Sequence, residues 1–157
     1  MAAAKMEGMP LQPKPSTFPA IRGALKFYQV AAPITGVLLL SLCAEMLMKY
    51  AFGLELELGG AYGFLAFVPS GTATAVNLST GILIIHGWFY VVYLFAAFRL
   101  WSLMRWNVLR LLWLALGGII PFLSFFLEVR VAREVTAYLA ARTATAETTP
   151  QSVEASH

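Results

Sequence analysis

The chain contains no aspartate, one cysteine and two histidines, and only 12% of its 157 residues are charged. Each shortage excludes something. Without aspartate there are no paired aspartates for acid–base work, and no Gly-rich phosphate loop or Ser-His-Asp set on facing elements is visible either. The residues therefore predict a protein that is not an enzyme. One cysteine, Cys43, cannot close an internal disulfide, and inside an apolar run it reads as a small buried side chain. His86 is the lone histidine in an apolar setting, with no cysteine pair and no second histidine at ligand spacing, so no metal site is expected. Haem would need a second axial ligand, for which Met46 or Met48 could serve only in an oligomer, so no cofactor is expected. His157 lies in a polar tail and is set aside.

The scarcity of charge has a counterpart. Hydrophobic residues make up 59% of the chain and the mean hydropathy is +0.72, whereas soluble domains carry about 25% charge and about 45–50% apolar residues. The composition is that of an integral membrane protein whose partner is the lipid bilayer. The net charge of +3 does not indicate nucleic acid, because the cations flank hydrophobic runs as membrane-bordering residues do. The first apolar run starts too far in and is too long for a cleaved signal, so it is expected to serve as an uncleaved insertion signal.

Read in order, residues 1–21 form a cytoplasmic tail expected to be disordered, with Pro10, Pro13, Pro15 and Pro19 opposing helix. A membrane domain is expected over residues 22–141, with spans at about 30–50, 78–98 and 108–127, each near the roughly 20 residues that cross a bilayer. Ala32 and Gly36 in the first span form a small-xxx-small pair suited to helix packing. Glu45 and Lys49 follow at i,i+4, the spacing of a local ion pair. Residues 51–77 read as a long outer loop: Leu54-Glu55-Leu56-Glu57-Leu58 alternates like a short strand or an interfacial segment, Tyr62, Phe64 and Phe67 suit the membrane surface, and Pro69-Ser70-Gly71 is a turn. Asn77-Leu78-Ser79 matches a glycosylation sequon too short to carry weight alone.

The second span carries His86 and Gly87 and ends in Arg99, Trp101, Arg105 and Trp106, the arginine and tryptophan anchors of a membrane–water interface. In the third, Gly117-Gly118 and Pro121 allow close packing and a bend. Glu128, Arg130, Arg133 and Glu134 then read as a helical extension leaving the membrane, and residues 142–157 as a disordered polar tail. The fold class is thus an all-α membrane protein, three transmembrane helices in a small bundle. An N-terminus inside would put Lys5, Lys14, Arg22, Lys26, Arg99, Arg105 and Arg110 in the cytoplasm and Lys49, Arg130, Arg133 and Arg142 outside. That balance favours N-terminus in and C-terminus out, although the cluster after the third span pulls the other way.

The succession Thr35-Gly36-Val37-Leu38-Leu39, Glu45-Met46, Lys49-Tyr50, Val76-Asn77-Leu78-Ser79, His86-Gly87-Trp88 and Tyr90-Val91-Val92-Tyr93-Leu94 resembles a family of small bacterial integral membrane proteins. That family is the domain of unknown function 3817, with a His-Gly core motif. Arg99-Leu100-Trp101-Ser102, Gly117-Gly118-Ile119-Ile120-Pro121 and Phe125-Phe126-Leu127-Glu128 extend the likeness. The resemblance implies a three-span bundle in the bacterial cytoplasmic membrane and no established reaction.

An ionisable side chain inside a bilayer is by default a functional-site hypothesis. Helix rise places Glu45 about 7 Å and His86 about 12 Å below the outer surface, with Glu128 near the same surface, so His86, Glu45, Lys49 and Glu128 form a candidate polar site. His86 has three readings: a structural hydrogen bond to a carbonyl or to Glu45, a proton-coupled or ligand-gripping role, or a metal or cofactor site. Two functions follow. One is an accessory or interaction subunit of a larger membrane complex, using the packing faces at Ala32, Gly36, Gly87, Gly117 and Gly118. The alternative is a homo-oligomeric proton-linked transporter or relay centred on His86 and Glu45.

Overall fold

The computed structural model describes residues 13–154, with side chains described through residue 145. A single 3-10 turn at Pro15–Thr17 leads into helix α1 (Phe18–Phe52). Pro19 sits in the first turn of α1, where a missing N–H costs little, and Gly53 ends the helix in the left-handed conformation at φ 68°. Three short strands follow: β1 (Leu54–Gly60), β2 (Gly63–Pro69) and β3 (Val76–Asn77). They form an antiparallel sheet in the order β2-β1-β3, with Leu58 opposite Leu65 and Glu57 opposite Asn77. Helix α2 (Leu78–Met104) is capped by Asn77, whose side chain accepts from the Thr80 amide. Helix α3 (Val108–Gly117) is capped in the same way by Asn107, and helix α4 (Leu123–Glu154) completes the chain.

Both α1 and α2 are long and apolar enough to cross a membrane. At 1.5 Å per residue the 27 residues of α2 reach about 40 Å. The ten residues of α3 reach only about 15 Å, half of the ~30 Å hydrocarbon core. The expected third span at 108–127 is therefore not one helix. Gly117 and Gly118 end α3, Pro121 lacks the N–H that would carry the helix on, and Phe122 turns the chain at φ 66°.

The contacts fix the direction of each helix. Tyr28 of α1 meets Tyr93 of α2, Thr35 meets the Phe89 carbonyl and Glu45 meets Ser79, so α1 and α2 are antiparallel. Tyr90 and Tyr93 contact the last turn of α3. Arg110 at the start of α3 pairs with Glu134, while a Cβ on Gly117 at its end would contact Leu127. On α1, Gly36 faces Ser124 and Phe125, and Gln29 bonds Glu128. Thus α3 enters the bundle from the end where α1 begins, turns back half-way, and α4 returns to that same end. The pair is a helical hairpin.

Four expectations are corrected by this architecture. The chain is mostly helical rather than all-α, because the expected long outer loop folds into the three-stranded sheet. The C-terminal helix α4 returns to the end of the bundle where α1 begins, whereas a third span would have carried it towards the other end. Residues 18–21 belong to α1, with Ile21 wholly buried, and residues 142–154 continue α4, where disordered tails were expected. Residues 1–12 and 155–157 of those tails lie outside the described residues. Glu128 sits level with Gln29, towards the chain termini rather than near the sheet.

The core lies where all four helices overlap. Ile21, Ala24 and Tyr28, Tyr93, Ala97 and Leu100, Leu114, and Val131 and Val135 are buried together there. Alanines on α1 and α2 let the backbones approach closely. Beyond the level of Gly36 the hairpin has ended and only α1 and α2 continue to the sheet, so their outer faces stay open.

Candidate functional site

The polar groups inside the bundle are organised around the break between α3 and α4. The last four carbonyls of a helix have no full set of intrahelical donors, and in hydrocarbon such groups must be satisfied by protein. Tyr93 and Tyr90, one turn apart on α2, supply two hydroxyls. The Tyr93 hydroxyl donates to the Leu114 carbonyl at 2.6 Å, and the Tyr90 hydroxyl to the Ala115 carbonyl at 3.2 Å. The Tyr28 hydroxyl lies 3.5 Å from that of Tyr93. The absence of a side chain at Gly117 and Gly118 is what admits the rings: a Cβ at Gly118 would strike the Tyr90 ring, and one at Gly117 the Tyr93 hydroxyl.

His86 continues this column. Positions 86, 90 and 93 share one helix face. The His86 ring stacks over Tyr90 at 6.3 Å between centroids, and Tyr90 over Tyr93 at the same distance. Nδ1 of His86 is buried without a hydrogen-bond partner among the described residues, as are Oγ of Ser124 and the Tyr138 hydroxyl.

Glu45 does not reach His86. Its carboxylate accepts the Ser79 hydroxyl at 2.5 Å, and Ser79 in turn accepts the Leu56 amide at 3.0 Å. Ser79 and His86 are seven residues apart on α2, about 10 Å along the axis. Lys49 does not pair with Glu45 either; it bonds Glu55 at 2.6 Å. The four residues of the expected polar site are thus distributed over three levels, Glu45 and Lys49 under the sheet, His86 below them and Glu128 near the opposite end.

Glu45 and Lys49 belong instead to a carboxylate framework that fastens the sheet to the helices. Glu55 also accepts from the Gly71 amide and the Asn77 side chain. Glu57 accepts from the amides of Thr74 and Ala75. The Lys49 ammonium, followed by the Gly71 amide, holds the Glu55 carboxyl below the usual carboxylate range. The amides of Ala75 and then Thr74 do the same for Glu57. The alternating Leu-Glu strand is inverted relative to a usual amphipathic strand: Glu55 and Glu57 are buried under the 70–77 segment and the leucines are half-covered.

The packing residues separate into two groups. Ala32 is wholly buried, and Gly36, Gly117 and Gly118 each face side chains of a neighbouring helix. Gly87 faces nothing within 4 Å. Among the anchors, Trp101 donates to the Asn107 carbonyl at 2.9 Å, the Arg110 guanidinium lies 4.8 Å over the Trp106 ring, Arg105 closes α2 at φ 52° and Arg99 is exposed. No group of three or more His, Cys, Asp or Glu able to hold a metal occurs among the described residues. Sequence reasoning missed the roles of Tyr28, Tyr90, Tyr93, Asn77 and Ser79. The tyrosine spacing at i, i+3 and the Asn before each apolar run were the available signals.

A family model described as Domain of unknown function (DUF3817) matches residues 25–133, from the first core turn of α1 into α4. The chain belongs to that family. An uncharacterised protein of Mycobacterium tuberculosis (strain ATCC 25618 / H37Rv) is 28% identical over 117 residues, covering 74% of this chain and 80% of the relative. An uncharacterised protein of Mycobacterium bovis matches to the same extent. One of Mycobacterium leprae is 28% identical over 111 residues, 71% of this chain and 74% of its own. No solved structure matches.

Proposed function

We propose that this chain is a non-enzymatic interaction subunit of a larger complex in the bacterial cytoplasmic membrane. In this reading α1 and α2 span the bilayer, the α3–α4 hairpin re-enters from the cytoplasmic side, and both ends of the chain are cytoplasmic. The charge distribution supports that orientation. Among the described residues, Lys14, Arg22, Lys26, Arg99, Arg105, Arg110, Arg130, Arg133 and Arg142 all belong to the end shared by the start of α1 and the return of α4, and Lys49 alone is at the sheet. Cations concentrate on the cytoplasmic side, and the arginines that opposed a three-span topology now agree with the rest.

The observation that carries the interaction role is Gly87. It lies on the outward side of α2 with no neighbour, among the exposed Ile84, Trp88 and Val91. Membrane helices associate through close packing at small residues rather than through a hydrophobic drive, so this is the place where a partner helix can approach. The interior polar groups, by contrast, are mostly paired within the chain. The test is native mass determination after mild solubilisation from cells expressing the tagged chain at its natural level. The expected result is a fixed complex with a second protein that Gly87→Ile dissociates; recovery of an isolated monomer would refute the role.

A second reading, a proton relay in a homo-oligomer, is favoured by Nδ1 of His86 in the third turn of α2, which has no hydrogen-bond partner among the described residues. It requires that His86→Ala abolish proton flux in proteoliposomes while membrane level and assembly persist. A variant that simply fails to accumulate would assign His86 a structural role.

A further inference from the structure

A groove of about 850 Å³ runs along α4, lined among the described residues by Phe125, Phe126, Val129, Arg130, Arg133 and Glu134. A smaller cavity of about 340 Å³ between α3 and α4 shares Phe126 and Arg130 with it and adds Arg110 and Trp113. The groove is divided along its length. Its deep end, next to the hairpin tip, is aromatic and aliphatic. One to two helical turns towards the chain termini it becomes cationic.

The cations there are not equivalent. Arg110 is engaged, pairing with Glu134 and lying over Trp106. Arg130 and Arg133 have no carboxylate partner among the described residues, so the groove carries two uncompensated guanidinium groups. Trp106 and Arg110 mark the interface, and Arg130 lies one turn, about 6 Å, deeper than Glu134, within reach of the headgroup layer by snorkelling. Guanidinium forks match phosphate geometry, and basic pockets between membrane helices on the cytoplasmic side suit anionic headgroups.

We propose that this groove binds one anionic phospholipid, with its phosphate at Arg130 and Arg133 and an acyl chain along Phe125, Phe126 and Val129. The volume lies within the range of ligand sites, about 300–1,000 Å³. The proposal rests on the membrane-inserted orientation given above. It takes the lipid as occupant because the same cleft offers an apolar wall and a phosphate-matching end in the order in which a lipid presents its parts.

The test uses the full chain reconstituted in nanodiscs of phosphatidylcholine with phosphatidylglycerol, released into native mass spectrometry to compare bound lipids. The wild type is expected to retain phosphatidylglycerol over phosphatidylcholine. Arg130→Gln/Arg133→Gln is expected to lower that preference roughly fivefold or more, and Arg99→Gln/Arg105→Gln to leave it intact. Equal loss in both variants would overturn the site in favour of diffuse surface charge. Displacement of the lipid by inorganic phosphate would overturn it in favour of a free-anion site. If the glutamine variant fails to assemble, Arg130→Lys/Arg133→Lys decides: it keeps the charge but not the fork, and an unreduced preference would overturn the proposal. Alkaline carbonate extraction of the wild type is read separately, so that failure of membrane insertion is distinguished from failure of lipid selection.

Discussion

The hydroxyl of Tyr93 is the most consequential single polar group in the bundle. Replacing it by Tyr93→Phe keeps the wholly buried ring and removes one oxygen. Two groups then lose a partner: the Leu114 carbonyl in the last turn of α3, bonded at 2.6 Å, and the Tyr28 hydroxyl, 3.5 Å away. A lost hydrogen bond costs about 0.5–1.5 kcal/mol net, and a buried acceptor left unsatisfied about 1–3. Membrane helices temper this, with interhelical bonds averaging about 0.6 and reaching about 1.7 kcal/mol. The expected loss is about 1–2 kcal/mol, a factor of roughly 5–30 in the folding equilibrium. Tyr90→Phe should cost less. Its bond is longer at 3.2 Å, its acceptor Ala115 also receives the Gly118 amide, and the residue is only half-buried. Reversible unfolding in mixed detergent micelles, followed by tryptophan fluorescence, measures both. Equal stability of Tyr93→Phe and wild type, or a larger loss from Tyr90→Phe, would refute the claim that α2 caps the broken helix.

Three further outcomes follow from the same geometry. Gly36→Val should separate α1 from α4, because its branched side chain meets Ser124 and Phe125; overpacking of this kind costs about 1–3 kcal/mol, and a cross-link between cysteines introduced at positions 29 and 128 should form more slowly. Phe122→Gly should stabilise the hairpin by about 1 kcal/mol, since a left-handed φ of 66° is unfavourable for a bulky residue and the ring is largely exposed; a lower unfolding midpoint would contradict this. Acid should loosen the sheet. The Glu55 and Glu57 carboxyls are held below the usual value near 4.5, so their contribution is complete above that pH and declines as pH falls through their lower folded-state values. Amide exchange at Gly71, Thr74 and Ala75 should therefore quicken below about pH 4.5 relative to the trend elsewhere, and Glu57→Gln should show the fast Thr74 and Ala75 exchange already at neutral pH.

Two of the elements were legible because their signal is local. The apolar runs of α1 and α2 need only composition and length to be recognised, whereas the helix ends at Gly53, Asn77 and Asn107 went unread although their chemistry acts within a turn. The hairpin was not legible in the same way. Residues 108–127 have the apolar length of a span, and Gly117-Gly118 with Pro121 reads as a bend within it, whereas the chain reverses there. What decides between them is whether a neighbour can satisfy the carbonyls that a reversal exposes, and Tyr90 and Tyr93 do so from another helix. The paired glutamates of β1 misled for a related reason: alternation identifies a strand, but which face is covered depends on donors contributed by residues 71–77. The His86–Glu45 pair failed on register, since Ser79, seven residues before His86, is the group that Glu45 meets.

One sequence signal weighed against the expected orientation, the cations that follow the third apolar run. Arg130, Arg133 and Arg142 would have been outside in a three-span topology, against the bias set by the cations of the other segments. A helix that turns back at half depth moves all three to the same end as Arg22, Lys26 and Arg110. Insertion energetics and tertiary hydrogen bonding are independent constraints, one acting on charge and the other on orphan carbonyls. The hydrogen bonds from Tyr90 and Tyr93 accompany a chain reversal between Gly117 and Leu123, and the cation distribution is compatible with it under the orientation proposed above.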